Sequence, residues 1–415
     1  MIHEIPGFFA LRRLCRAAAI AGLALGGPAA AQQTPVAEKP SPELLVDIAF
    51  IAHANPPAPP FELDEPPPGE GADGAKLAEQ EDNTTGSFLG QKFAVTAVEL
   101  DESDNPIEAA KPLLARGIKL FVVALPAAEA LALADFVAPE GGLVFNAAAP
   151  DDALRGADCR ANLFHTAPSR AMLTDALAQY LVVRRWTKIL LVTGPKKGDA
   201  AYADAFRASA KKFRLKIVDE KPWTYGPLAR ARGDSITEAE ALTFARGSDA
   251  DLIVVADEAN DFGDYILYRT AEPRLVAGTQ GLIATSWHET QTAYGSEQLQ
   301  NRFIRMAGRR MRPIDFQAWI AVRAIGQAVT ELRSADPLKI SADMQSPAFN
   351  LAVFKGAAGS FRPWDRQFRQ AILLAQPKSL IGLAPQPGFL HQRNTLDTLG
   401  ADMNESACRP QQEPR

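Results

Sequence analysis

The feature that most constrains this 415-residue chain is an alternation, run through twice, of short apolar segments with longer segments of helical composition. Leu44–Ile51, Phe93–Val98, Leu120–Ala124 and Leu143–Asn146 read as buried strands, rich in branched side chains. Helices are expected between them. The first begins at Ala75 and ends at Asn83-Thr84-Thr85-Gly86. The second runs from Pro106 to Arg116, with proline where its missing N–H costs nothing, and the third spans 127–137. After Asp158-Cys159 the pattern restarts. Helices expected over 170–184, 200–212, 237–246 and 262–269 alternate with strands over 188–192, 215–218, 251–255 and 274–277. Strands joined by helices imply βαβ units and parallel sheets, so the expected fold is α/β with two doubly wound lobes. A periodic helix near 316–332 puts Trp319, Val322, Ile325, Ala328 and Val329 on one face, and short strands are expected near 349–354 and 368–374.

The first thirty-one residues belong to a different kind of segment. Arg12, Arg13 and Arg16 precede the apolar run Ala17–Leu25, and small residues lead to Ala29-Ala30-Ala31. A basic stretch, a short apolar core and an A-x-A site make a secretory signal peptide, its core too short for the roughly 20 residues that span a bilayer. Cleavage removes three arginines and one acid, moving the formal net charge from -5 to -7. That balance lacks the cation excess of a nucleic-acid binder. It also removes Cys15, leaving Cys159 and Cys408, for which one disulfide or two buried thiols are the alternatives in an exported protein. The expected location is the periplasm.

The sequence holds no G-x-S-x-G, H-E-x-x-H, C-x-x-C or phosphate-loop signature, and His53, His165, His288 and His391 lie far apart, so neither catalysis nor a metal or other cofactor is expected. In open parallel sheets a ligand sits against the loops at the carboxyl ends of the strands. Those loops and their neighbours nominate His53, Ala128, Asn146, Tyr202, Asp257, Glu258 and Gln280 as cleft-lining residues. Asp257-Glu258 has two readings of equal weight: anchors for a cationic or hydroxylated ligand, or caps of the following helix. The proline-rich stretch from Pro56 to Pro68 is a stiff extended loop, either a surface linker or a partner-docking segment.

The order of these segments resembles a type I periplasmic binding protein, nearest the branched-chain amino-acid receptor family of ABC transporters. Gly74-Ala75-Lys76-Leu77-Ala78, Asn83-Thr84-Thr85-Gly86, Phe164-His165-Thr166-Ala167-Pro168-Ser169 and Trp186–Val192 carry the likeness. Cys159-Arg160-Ala161-Asn162 and the proline-rich loop are similar to the subgroup found with PQQ-dependent alcohol dehydrogenase systems. The resemblance implies three hinge crossings, placed near His165, Gln280 and Ser346. The corresponding division is signal peptide 1–31, linker 32–43, lobe 1 over 44–165 and 281–345, lobe 2 over 166–280 and 346–385, and a tail over 386–415. It also implies closure over a small-molecule ligand, a permease and an ATPase as partners, and a monomeric receptor that does not span the membrane. The hydroxyls with which amino-acid receptors hold the ligand carboxylate are missing from Leu125–Glu129 and Asn146–Pro150. A ligand-free adaptor docking on a dehydrogenase or sensor is the competing expectation.

Overall fold

A computed structural model describes residues 44–55, 66–225, 243–267 and 269–409. The expected signal peptide and linker, most of the proline-rich loop and most of the expected helix 237–246 lie outside the described residues.

The first sheet contains β1 (Leu44–His53), β2 (Gln91–Leu100), β3 (Leu120–Ala124), β4 (Leu143–Asn146) and β5 (Leu163–His165), in the order β2-β1-β3-β4-β5. All its pairings are parallel. Both faces are covered, which is why the strands read as continuous apolar runs rather than alternating ones. Ile48 and Phe50 point into one core while Ala49 and Ile51 point into the other.

The second sheet contains β6 (Lys188–Thr193), β7 (Lys216–Pro222), β8 (Leu252–Ala256), β9 (Leu275–Gly278) and β10 (Leu282–Thr285). After a small antiparallel sheet of β11 (Leu351–Ala352), β12 (Ala358–Phe361) and β13 (Phe368–Arg369), the chain returns to it. It then forms the antiparallel hairpin β14 (Ile372–Gln376) and β15 (Ser379–Ala384). The order is β15-β14-β10-β9-β8-β6-β7. The α/β fold with two parallel-sheet lobes is therefore the one the alternation implied.

Several local expectations change. The first helix does not stop at Gly86 but runs Ala72–Leu89. Its polar stretch is satisfied in place: Asn83 exchanges two hydrogen bonds with the backbone of Phe93, and the Thr84 hydroxyl donates to the carbonyl of Gln80. Gly90, at φ 66°, ends it in the left-handed conformation. The second crossing falls later than Gln280, because β10 pairs with β9 on one side and β14 on the other. The third falls later than Ser346, because Phe349, Leu351 and Val353 belong to the core of lobe 1 and the chain rejoins the second sheet only at Ile372.

The long helix Pro313–Leu332 buries the predicted face Trp319, Val322, Ile325, Ala328 and Val329 against lobe 1. It crosses Ala72–Leu89 so closely that a Cβ on Gly74 would stand 1.9 Å from the carbonyl oxygen of Asp315. Only glycine admits that approach. The crossing fixes the carboxyl end of β1 beside the start of its following helix, which sets one wall of the crevice.

Candidate functional site

In each sheet the strand order reverses direction at one point. β1 is followed through a helix by β2 on one side, while β3 leads on to β4 on the other, so the first switch point lies between β1 and β3. The same reasoning puts the second between β6 and β8. Loops leaving the carboxyl ends at such points form the natural ligand crevice of an open α/β sheet.

At the first, His53 ends β1 and Glu129 stands in the first turn of the helix Ala127–Val137 that follows β3. The His53 Nε2 lies 2.6 Å from a Glu129 carboxylate oxygen, and Nδ1 lies 3.0 Å from the carbonyl of Asp101. Both ring nitrogens thus face acceptors, an arrangement that only imidazolium satisfies. Burial lowers the pKa of His53, but the Glu129 and Asp101 bonds, with the Glu129 and Asp104 charges, outweigh it, and the net shift is upward. The folded value is raised, so the pair's stabilisation is fully present below the unfolded value of 6.5 and is lost as pH rises through the folded one. An NMR titration should show His53 deprotonating above a free imidazole, with Glu129→Gln bringing it back down. A His53 that titrates at or below the free value contradicts the pair.

Ala128 is exposed at the start of the same helix, which has no side-chain cap. Asn146 does not line the crevice. It is fully buried, its Oδ1 accepting from the N–H groups of Ala148 and Ala149 and its Nδ2 donating to the Ala149 carbonyl. The turn after β4 consumes that amide. Beside His53, a cavity of about 300 Å³ opens between β1, β2 and the segment 66–72, with Asn55, Glu70 and Glu99 in its wall.

At the second switch point the two readings of Asp257-Glu258 separate. Asp257 is a cap: its carboxylate accepts from the N–H groups of Asp261, Phe262 and Gly263 at 3.0, 2.8 and 2.7 Å. Gln280 is 8% exposed and spends its amide on the Asp257 carbonyl, at 2.8 Å, so it too is structural. Glu258 is gripped by Arg170 in a fork, Nε to Oε1 at 2.8 Å and Nη2 to Oε2 at 2.7 Å, and Arg170 also reaches Asp151 at 3.1 Å. Burial lowers the Arg170 pKa, but the Glu258 and Asp151 contacts reverse that and raise it, so the guanidinium is a permanent cation. Tyr202, from the helix Lys197–Lys212, is 4% exposed. Burial, then the nearby Glu258 charge, raises its pKa, and its hydroxyl has no hydrogen-bond partner among the described residues.

The predicted residues therefore fall into two groups. His53 and Ala128 gather in lobe 1, and Tyr202, Asp257, Glu258 and Gln280 gather in lobe 2, while Asn146 belongs to the hinge side. Sequence reasoning missed Glu129 and Arg170, and it missed Arg155 behind them. Arg155 is buried, donating to Gln367 and to the carbonyls of Ala149, Asp151 and Ala167. Gln367 in turn donates to the carbonyls of His165 and Ala167. One side-chain knot thus ties the first crossing to the third. Among the described residues, no group of three or more His, Cys, Asp or Glu is placed to hold a metal ion, and no helix is long and apolar enough to cross a membrane. Cys159 and Cys408 are joined by a disulfide, with their Cα atoms 5.6 Å apart.

No curated protein matches the chain in sequence. Solved structures do match in fold. A branched-chain amino acid ABC transporter periplasmic ligand-binding protein from Burkholderia xenovorans LB400 superposes with a TM-score of 0.69 at 15% identity, over 88% of this chain and 99% of that one. The leucine-, isoleucine-, valine-, threonine- and alanine-binding protein of Brucella ovis, in a closed conformation, gives 0.63 at 14% identity, over 84% and 93%. An ABC transporter substrate-binding protein from Desulfitobacterium hafniense in complex with Leu gives 0.62 at 17%, over 81% and 99%. The profile of the periplasmic binding protein family matches residues 68–379. With two parallel-sheet lobes, three crossings between them and that match over well more than half its length, the chain belongs to the periplasmic binding protein family.

Proposed function

We propose that this protein is the periplasmic solute receptor of an ABC importer. It captures a small molecule between its lobes, hands it to a permease driven by an ATPase, and carries out no chemical step itself. The observation that carries the reading is the buried Tyr202 hydroxyl, without a partner among the described residues, beside the Arg170–Glu258 fork at the second switch point. A buried hydroxyl without a partner costs free energy that a ligand in the crevice would recover. The family's fold, and a relative described in a closed conformation, support hinge closure here. The similarity of Cys159-Arg160-Ala161-Asn162 to the subgroup accompanying PQQ-dependent alcohol dehydrogenases ties the solute to alcohol oxidation.

The test is a thermal-shift screen of alcohols, organic acids, amino acids and metal complexes on the mature protein, followed by calorimetry. A true ligand at a hundredfold excess over its Kd adds about 2.7 kcal/mol to the folded state, a rise in Tm of several degrees. Glu258→Ala should weaken that ligand at least about tenfold, the loss of about 1.4 kcal/mol that one good polar contact supplies. Affinity left intact by Glu258→Ala would remove the second switch point from the site.

A further inference from the structure

We infer that the cavity between β1, β2 and the segment 66–72 binds a small aliphatic primary amine in its ammonium form, with Glu99 as the counter-ion. The site lies wholly within lobe 1, so it goes beyond the receptor reading above and needs no closure of the lobes.

The cavity arises from a change of side-chain size along one face of the first sheet. Toward the amino ends of β1 and β2 that face carries Val46, Ile48 and Phe50 beside Phe93 and Val95, all packed in or against the lobe 1 core. Successive side chains alternate between faces, so the same face continues through Ala52 and Ala54 on one side and Ala97 on the other. The bulk stops there and the face hollows out. Pro66, Pro68 and Ala72 close the far wall. The enclosed space of about 300 Å³ falls within the range of small-molecule sites.

Glu99 belongs to this face. It stands in register with Ala52, as Ala97 does with Phe50, so its side chain rises from the cavity side of β2. Glu99 is exposed, and its carboxylate has no partner among the described residues. The other charges of the wall are matched. Glu70 pairs with Arg312 at 3.2 Å. His53 turns its ring to the opposite face, where Glu129 and the Asp101 carbonyl take both nitrogens. Asn55 directs its amide N–H to the Pro67 carbonyl at 3.5 Å, which leaves its side-chain oxygen as an acceptor. The wall therefore offers a negative charge and a second acceptor above a lining of alanine and proline. A primary ammonium brings three donors and the opposite charge, and its alkyl chain fits the apolar part. A carboxylate would set like charge against Glu99, and an alcohol would forgo the charge attraction.

The test is calorimetry on the mature protein with n-butyl-, n-pentyl- and n-hexylammonium, each against the alcohol and the carboxylate of equal chain length. The ammonium should bind at least about fivefold more tightly than either counterpart, and its affinity should fall at least about twofold between about 20 and 200 mM salt, as screening of one exposed pair requires. Each added methylene should tighten binding by about threefold while the cavity has room. Glu99→Gln should erase the preference for ammonium over alcohol, and Glu99→Asp should keep it. Ala97→Trp, which fills the space and leaves the charge, should abolish binding of the whole ammonium series. No binding by any ammonium, a carboxylate as the tightest ligand, a preference that survives Glu99→Gln, or binding that survives Ala97→Trp would each overturn the inference. All four outcomes leave the receptor reading standing, since that rests on the second switch point.

Discussion

Arg155→Met is expected to remove about 3–5 kcal/mol of unfolding free energy, the cost of breaking a buried charged hub and stranding its acceptors. The side chain donates to Gln367 Oε1 at 2.9 Å, to the carbonyls of Ala149 and Asp151 at 2.9 and 3.0 Å, and to that of Ala167 at 2.7 Å. Burial lowers its pKa to about 10, against the pull of Asp152, Asp365 and Asp151, so it remains charged at neutral pH. Methionine fills the volume and satisfies none of the four oxygens. Arg155→Lys should recover less than about half of the loss, because a point charge cannot reach acceptors arranged around a planar fork. Urea unfolding monitored by tryptophan fluorescence measures both. A loss below about 1 kcal/mol for the methionine variant would mean that the knot between the first and third crossings is not what holds the hinge.

Replacing both Cys159 and Cys408 by serine is expected to cost about 5–6 kcal/mol in the chain-entropy account, since the bridge closes a loop of 249 residues in sequence separation. The tail does not depend on the bridge alone. The Gly400 N–H donates to Asp175 and its carbonyl accepts from Lys212, while Asp397 receives Arg362 at 2.8 Å and Arg369 at 2.7 Å. These contacts hold the tail to lobe 2 and to the small antiparallel sheet. The bridge adds the link to Cys159, between β4 and β5 of lobe 1. Unfolding midpoints in oxidising and reducing buffer should therefore differ for the wild type and coincide for the double variant. Coincidence in the wild type would show that no bridge forms.

The fold was legible because both sheets are buried on both faces, and such strands announce themselves as unbroken apolar runs. Boundaries suffered where backbone needs are met at long range. Asn83-Thr84-Thr85 looks like a helix end, yet Phe93 satisfies the asparagine ten residues away. The site was half legible. Asp257 and Glu258 sit where strand-end reasoning places them, but only geometry divides them into a cap and a fork partner. Glu129 and Arg170 escaped because their partners lie 76 and 88 positions away, beyond any local spacing rule. A signal for Arg170 existed. A cation at the first position of a helix opposes the helix dipole, an unfavourable placement that nearby acids offset here.

The bond between Cys159 and Cys408 turns everything between them into one covalent macrocycle that contains the whole second sheet. Both ends of that ring meet beside lobe 1. A single peptide cut anywhere inside it would leave the polypeptide in one piece, and two non-overlapping cuts would be needed to release a fragment. Beyond the third crossing the chain would otherwise end free; the bridge fixes that tail to lobe 1 and makes it a fourth covalent link between the lobes.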